Sequence, residues 1–125
     1  MSDATRILLV EDEEELVRIV ETFFRDEGFE VRTAMSGEDA VSLLDKYRPE
    51  IIISDVRMGN MDGFELLEWV RNNPPLKSVP FIFLTIMDDR DSVIRAKKLG
   101  VDGYMTKPFD VEELLEKVQA ILGKK

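Results

Sequence analysis

Two kinds of hydrophobic pattern alternate along the chain. Short runs with β character occur at 6–10 (RILLV), 30–34 (EVRTA), 51–54 (IIIS), 81–84 (FIFL) and 103–105 (GYM). The first, third and fourth are almost unbroken in apolar residues, the pattern of strands covered on both faces. These three belong at the centre of a sheet. The run at 30–34 alternates with polar residues and the run at 103–105 is short, so both read as edges.

Between the runs, apolar residues recur at three-and-four spacing, the period of a helix that buries one face. Leu16, Ile19, Val20, Phe23 and Phe24 form the first stripe, stopped by Gly28. Ser36 is an N-cap for a second helix carrying Ala40, Val41, Leu43 and Leu44. Phe64, Leu66, Leu67 and Val70 make a third, ended by Asn72, Asn73, Pro74 and Pro75. Val93, Ile94, Ala96 and Leu99 make a fourth, closed by Gly100. Asp110 caps a fifth, striped by Val111, Leu114, Leu115, Val118, Ile121 and Leu122 before Gly123. Strand–helix alternation from end to end predicts an α/β domain, a doubly wound five-stranded parallel sheet with five helices on both faces. One domain over residues 1–125 is expected, with the Met and Phe side chains in its core and no output domain.

Composition narrows the chemistry. Of 125 residues, 44% are apolar, enough for a core, and 17 Lys and Arg against 26 Asp and Glu leave a net charge of −9. That balance disfavours direct nucleic-acid binding, which needs a concentrated basic surface. Cysteine and histidine are both absent, which removes thiol proteases, Ser-His-Asp hydrolases and the usual zinc enzymes. No segment has the length of a signal peptide or a membrane span, since the longest apolar run, 79–84, contains Pro80. A cytoplasmic location with no membrane partner is expected. G-x-G-x-x-G and G-K-[ST] patterns are missing, which disfavours a nucleotide site.

Doubly wound sheets bind ligands at the carboxyl ends of their strands. There the chain places Glu11 and Asp12 after the first run, Asp55 after the third, Thr85 after the fourth and Lys107 after the fifth. Three converging carboxylates repel one another unless a cation intervenes, and an all-oxygen set suits Mg²⁺. Lys107 and Thr85 are suitable partners for phosphoryl oxygens, and Asp55 is the natural nucleophile, able to form an acyl-phosphate. Read singly, each residue has a plainer explanation. The acidic run 11–15 also suits a helix N-terminus, and Asp55 and Lys107 also suit turns.

The segments ILLVEDE at 7–13, SDVRMGNMDG at 54–63, PFIFLT at 80–85 and GYMTKPF at 103–109 together resemble the CheY-like receiver domain of bacterial two-component response regulators. The resemblance spans essentially the whole chain and implies a flavodoxin-like strand order of 2-1-3-4-5. It further implies that Asp55 is phosphorylated from a sensor histidine kinase or a histidine phosphotransfer protein. Asp12, Asp55 and the main-chain carbonyl of Arg57 would bind Mg²⁺, with Glu11 acting through water. Thr85 and Lys107 would grip the phosphoryl group, and the bond from Lys107 to Pro108 would be cis. Tyr104 stands at the switch aromatic position, reporting occupancy to the surface of the fourth helix, fifth strand and fifth helix. That surface would meet a downstream effector or an output domain, and in some relatives a second copy on phosphorylation. Such a module catalyses only its own phosphorylation and dephosphorylation and is not a turnover enzyme.

Two positions depart from the family pattern. Gly59 replaces a common proline and should loosen the loop after Asp55. Ile86 replaces a usually small residue and, with Arg57 and Met87 beside the site, predicts slow loss of phosphate. Two rival readings remain: an aspartate-nucleophile phosphohydrolase, disfavoured because Arg57 stands where a second acid is usual, and a scaffold that never carries phosphate, disfavoured by the complete acidic set.

Overall fold

In the structure, a computed structural model that describes residues 4–123, period-two alternation along the central strands divides the apolar residues between two cores. The elements run β1 (Arg6–Val10), α1 (Glu14–Asp26), β2 (Glu30–Ala34), α2 (Gly37–Leu44), β3 (Ile51–Ser54), α3 (Gly63–Arg71), β4 (Phe81–Thr85), α4 (Arg90–Lys98), β5 (Gly103–Thr106) and α5 (Val111–Leu122). Ile7, Leu9, Ile51, Ile53, Ile82 and Leu84 face α1 and α5, where they meet Val17, Val20, Phe24, Leu114 and Val118. Leu8, Val10, Ile52, Phe81 and Phe83 face the other way, onto the stripes of α2 and α3 and Ala96 of α4. Successive strand residues point to opposite faces, so one sheet with helices on both sides buries every apolar position of its central strands. Each large side chain buried this way contributes roughly 1.5–3 kcal/mol.

The sheet order is β2-β1-β3-β4-β5 with every pair parallel. This is the predicted doubly wound topology, with β1, β3 and β4 central and the alternating and short strands at the edges. Register aligns Val10 with Ala34 and Ser54, Ser54 with Phe83, and Thr85 with Thr106. The chain therefore leaves all five strands at one pole. β4 and β5 each run one residue further than the apolar pattern indicates, because Thr85 and Thr106 pair with each other. A pattern of apolarity cannot register a polar pair.

Helix starts follow the sequence closely. Ser36 Oγ accepts from Asp39 N at 3.0 Å, and the Asp110 carboxylate accepts from Glu112 N at 2.9 Å. Asp62 and Glu65 form a reciprocal capping box on α3, and Asp89 caps α4 through Ser92 N at 3.0 Å. Gly123, at φ 71°, closes α5 in the left-handed conformation. After α3 the prolines form a 3-10 turn, Pro74–Leu76, where the sequence indicated only a stop.

Several apolar residues expected inside are not. Ile19 is 52% exposed, Met35 41% and Ile94 40%. On α4 the buried residues are Ser92 and Ala96. The helix has turned its small residues inward, so its apolar stripe is narrower than the spacing suggested. Among the described residues no helix is long and apolar enough to cross a membrane.

Candidate functional site

At the carboxyl pole, Glu11 follows β1 with its N–H on Ala34 O at 3.0 Å, and Asp55 follows β3 with its N–H on Val10 O at 3.0 Å. Sheet-type bonds thus carry past the strand ends and fix both residues. Lys107 is tied in the same manner, its N–H on Thr85 O at 2.8 Å. The Lys107–Pro108 bond is cis, as the resemblance implied.

These anchors bring together side chains far apart in sequence. Lys107 Nζ donates to Glu11 Oε1 at 3.0 Å and to Asp55 Oδ2 at 3.1 Å, and Glu13 Oε1 lies 3.9 Å away. The other Asp55 oxygen, Oδ1, accepts from Val56 N at 2.6 Å and Arg57 N at 3.2 Å. Glu11 Oε2 accepts from Glu13 N at 3.2 Å. Glu11 and Asp55 are buried while Asp12 is exposed at the rim. Carboxylate oxygens of Glu11, Asp12 and Asp55 all lie within 4.8 Å of one another.

The electrostatics follow from crowding in a partly dry pocket. Burial pushes the Glu11 carboxyl above its ordinary range, and the Asp55 charge adds to that, against the lowering effect of Lys107 and of the Glu13 N–H. For Lys107, burial alone would lower the pKa. Its hydrogen bonds to Glu11 and Asp55 and their charges together outweigh burial and hold the ammonium above its usual value. Lys107 therefore stands against the Glu11, Asp12 and Asp55 carboxylates, with Glu13 beside them, leaving negative potential in a small concave site. An oxygen-only donor set with this excess of charge fits a hard divalent cation such as Mg²⁺.

The acidic run 11–15 is divided by the fold. Glu14 and Glu15 occupy the first turn of α1 and suit its positive end, while Glu11 turns inward to Lys107. The two readings of that run apply to different residues within it.

Beside the carboxylates, Thr85 is fully buried and its Oγ1 accepts from Met87 N at 3.2 Å. Tyr104 is half-buried, its hydroxyl donating to Met87 O at 2.6 Å. Burial, and then the charges of Asp89, Asp88 and Asp55, raise the phenol pKa. Met87 thus joins Thr85 to Tyr104 through its peptide groups. Sequence reading passed over this link because backbone atoms carry no residue signature. Gly63, the end of the 54–63 segment, carried no assigned role: a Cβ there would stand 2.4 Å from Asp55 O and 2.7 Å from Val56 Cα, so only glycine lets α3 begin against the Asp55 peptide. Arg57 is exposed, and its N–H, two residues beyond Asp55, helps hold that carboxylate. Ile86, 61% exposed, borders an apolar groove of about 420 Å³ shared with Leu16, Ile19 and Phe109, which meets the acidic pocket at Lys107.

Comparison with known proteins agrees with this arrangement. Residues 7–119 match the family model described as "Response regulator receiver domain". The chain is 36% identical over 116 residues to the transcriptional regulatory protein GltR of Pseudomonas aeruginosa, covering 93% of this chain and 48% of GltR. It is 34% identical over 119 residues to protein PilG of the same organism, covering 95% of this chain and 88% of PilG. The solved chemotaxis response regulator CheY4 of Vibrio cholerae superposes with a TM-score of 0.89 at 34% identity, covering 94% of this chain and 98% of that one. The chain spans about half the length of several transcriptional regulators it matches. With the parallel 2-1-3-4-5 sheet, the acidic pocket and its lysine all in place, this chain belongs to the response regulator receiver domain family.

Proposed function

We propose that the domain is a Mg²⁺-dependent phosphoacceptor in which Asp55 takes a phosphoryl group from a phosphohistidine on a sensor kinase or histidine phosphotransfer protein. The observation that carries this reading is the placement of Lys107 Nζ 3.0 Å from Glu11 and 3.1 Å from Asp55, within a cluster of three carboxylates. In the transfer, an Asp55 carboxylate oxygen attacks phosphorus and the P–N bond breaks. The leaving imidazole nitrogen keeps the bonding pair and takes up a proton. Catalysis of such a loose transfer is mainly positioning and charge stabilisation. The Val56 and Arg57 N–H groups fix the acceptor carboxylate, and Lys107 meets the new phosphoryl oxygens. Glu11, Asp12, Asp55 and the Arg57 carbonyl would hold Mg²⁺, which when bound supplies positive charge against those oxygens.

Thr85 then turns its hydroxyl to the phosphoryl group and releases Met87 N, and Tyr104 carries the change to the surface of α4, β5 and α5. Each new bond must favour the phosphorylated arrangement over the free one, or no population shifts. That surface serves an effector, an output domain or a second copy of the chain, in the cytoplasm. The domain acts as a switch that catalyses only its own modification. Arg57, standing two residues after the nucleophile, is a cation where a phosphohydrolase usually has a second acid, which favours storage of phosphate over turnover.

The test is intact mass spectrometry after incubation with acetyl phosphate, with and without Mg²⁺. Wild type should gain one phosphoryl group only when metal is present, and Asp55→Asn none. A gain that persists in Asp55→Asn, or no gain in wild type under any condition, removes the proposal.

A further inference from the structure

Helix α4 has little apolar surface with which to hold its place. Its buried residues are Ser92 and Ala96, and Ile94 is 40% exposed. A helix with so few buried contacts lies at the low-stability end of a domain unless something else fastens it. Two contacts do. At its leading loop, the Tyr104 hydroxyl holds Met87 O at 2.6 Å. At its middle, the Arg95 guanidinium lies over the Phe64 ring of α3, Cζ 4.3 Å from the centroid, and Arg95 takes part in no ion pair among the described residues.

The two fastenings are joined beneath the helix. Tyr104 meets Phe83 edge-on with centroids 6.0 Å apart, and Phe83 meets Phe64 edge-on at 5.4 Å. Gly63 permits this approach, because a Cβ there would stand 2.9 Å from Phe83 Cε1. The contacts close a circuit: Arg95 to Phe64, Phe64 to Phe83, Phe83 to Tyr104, Tyr104 to the Met87 peptide, and the Met87 loop back to α4. A packed circuit has few partial states, so loosening one contact weakens the next.

We propose that Arg95 is a positioning residue for the switch: its seat on Phe64 and the inward seat of Tyr104 form one cooperative unit, so α4 is held or released as a whole. The meaning of that release for signalling rests on the receiver reading above, whereas the cooperativity itself can be measured on the unphosphorylated protein.

The experiment is backbone hydrogen exchange of residues 90–98, with α2 as internal reference, in wild type, Arg95→Gln, Arg95→Lys, Tyr104→Phe and the Arg95→Gln/Tyr104→Phe double variant. A cation–π contact of ordinary strength predicts that Arg95→Gln speeds α4 exchange about two- to five-fold, with Arg95→Lys restoring part of the loss. Tyr104→Phe should speed the same amides, and the double variant should fall short of the product of the single effects. The second readout is ¹⁹F resonance of 3-fluorotyrosine protein, in which the chain's two tyrosines are assigned with Tyr47→Phe. Arg95→Gln should move the Tyr104 signal and leave Tyr47 in place. An α4 exchange rate untouched by Arg95→Gln, or single effects that multiply while the Tyr104 signal stays still, overturns the proposal. Failure of acetyl phosphate to modify wild type would instead remove the phosphoacceptor reading and leave these measurements standing.

Discussion

At the scale of single residues, the site is governed by Lys107, whose ammonium is shared by two buried carboxylates. Replacing it with methionine keeps the stem's packing and strips Glu11 of its counter-charge. Lys107→Met should lower stability near pH 7 by about 1–3 kcal/mol, the cost of a buried polar group left without its partner. The same change removes a cation that opposes metal entry, so Mg²⁺ should raise the melting temperature more in the variant than in wild type. Thermal denaturation with Mg²⁺ and with chelator measures both, and an equal metal shift in the two proteins would contradict the argument. Away from the site, Tyr47 is 8% exposed, and among the described residues its hydroxyl makes no hydrogen bond of ordinary geometry, with the Glu30 carboxylate acting on it as a neighbour. Burial first, and then the Glu30 charge, push its pKa from 10.0 up to about 12. The folded chain keeps this proton where the unfolded chain has lost it. The resulting stability is full below pH 10.0 and is lost as pH rises toward about 12. Denaturant melts from pH 9 upward should therefore fall less steeply for Tyr47→Phe, and at neutral pH that variant should be at least as stable as wild type.

At the scale of elements, the loop between β3 and α3 shows how one residue type has opposite meanings four positions apart. Gly59 has no positive φ, and a Cβ there meets nothing within 4 Å. Its freedom is a property of the unfolded chain, and Gly59→Ala should stabilise by about 0.4–1 kcal/mol while leaving phosphorylation intact. The loop around it is already pinned, by buried Met58 and by Met61, which leaves only 2.8 Å for a Cβ on Gly37. Gly63→Ala should displace the Asp55 peptide and abolish modification by acetyl phosphate. Denaturation curves and mass spectrometry separate the pair. The resemblance marked Gly59 as a departure and gave Gly63 no role beyond ending the 54–63 segment, because close approach between α3 and the Asp55 peptide exists only once the two are packed. Helix caps, by contrast, were legible at Ser36 and Asp110, since a cap and its N–H lie within three residues of each other.

At the scale of the whole molecule, one pole collects the acidic pocket, Lys107 and the apolar groove edged by Ile86. Phosphate at Asp55 would share its approach with that exposed side chain, and cutting Ile86 back to alanine should shorten the lifetime of the phosphorylated state. Following loss of the phosphoryl group by mass after removing donor checks this, and an unchanged half-life would leave Ile86 without a part in it. The sequence by itself determined the elements, their type and the parallel sheet, because strand and helix periodicity, glycine stops and caps are written in neighbouring residues. It also determined which side chains gather at the pole, since strand ends in such a sheet share one direction. Tertiary structure alone decided that Lys107 joins Glu11 and Asp55, partners 96 and 52 residues away, that Glu11 turns inward while Glu14 and Glu15 stay on α1, and that Arg95 sits on Phe64. Those outcomes depend on strand register and on the packing of helices against the sheet, and no local pattern encodes a contact between residues that only the fold brings together.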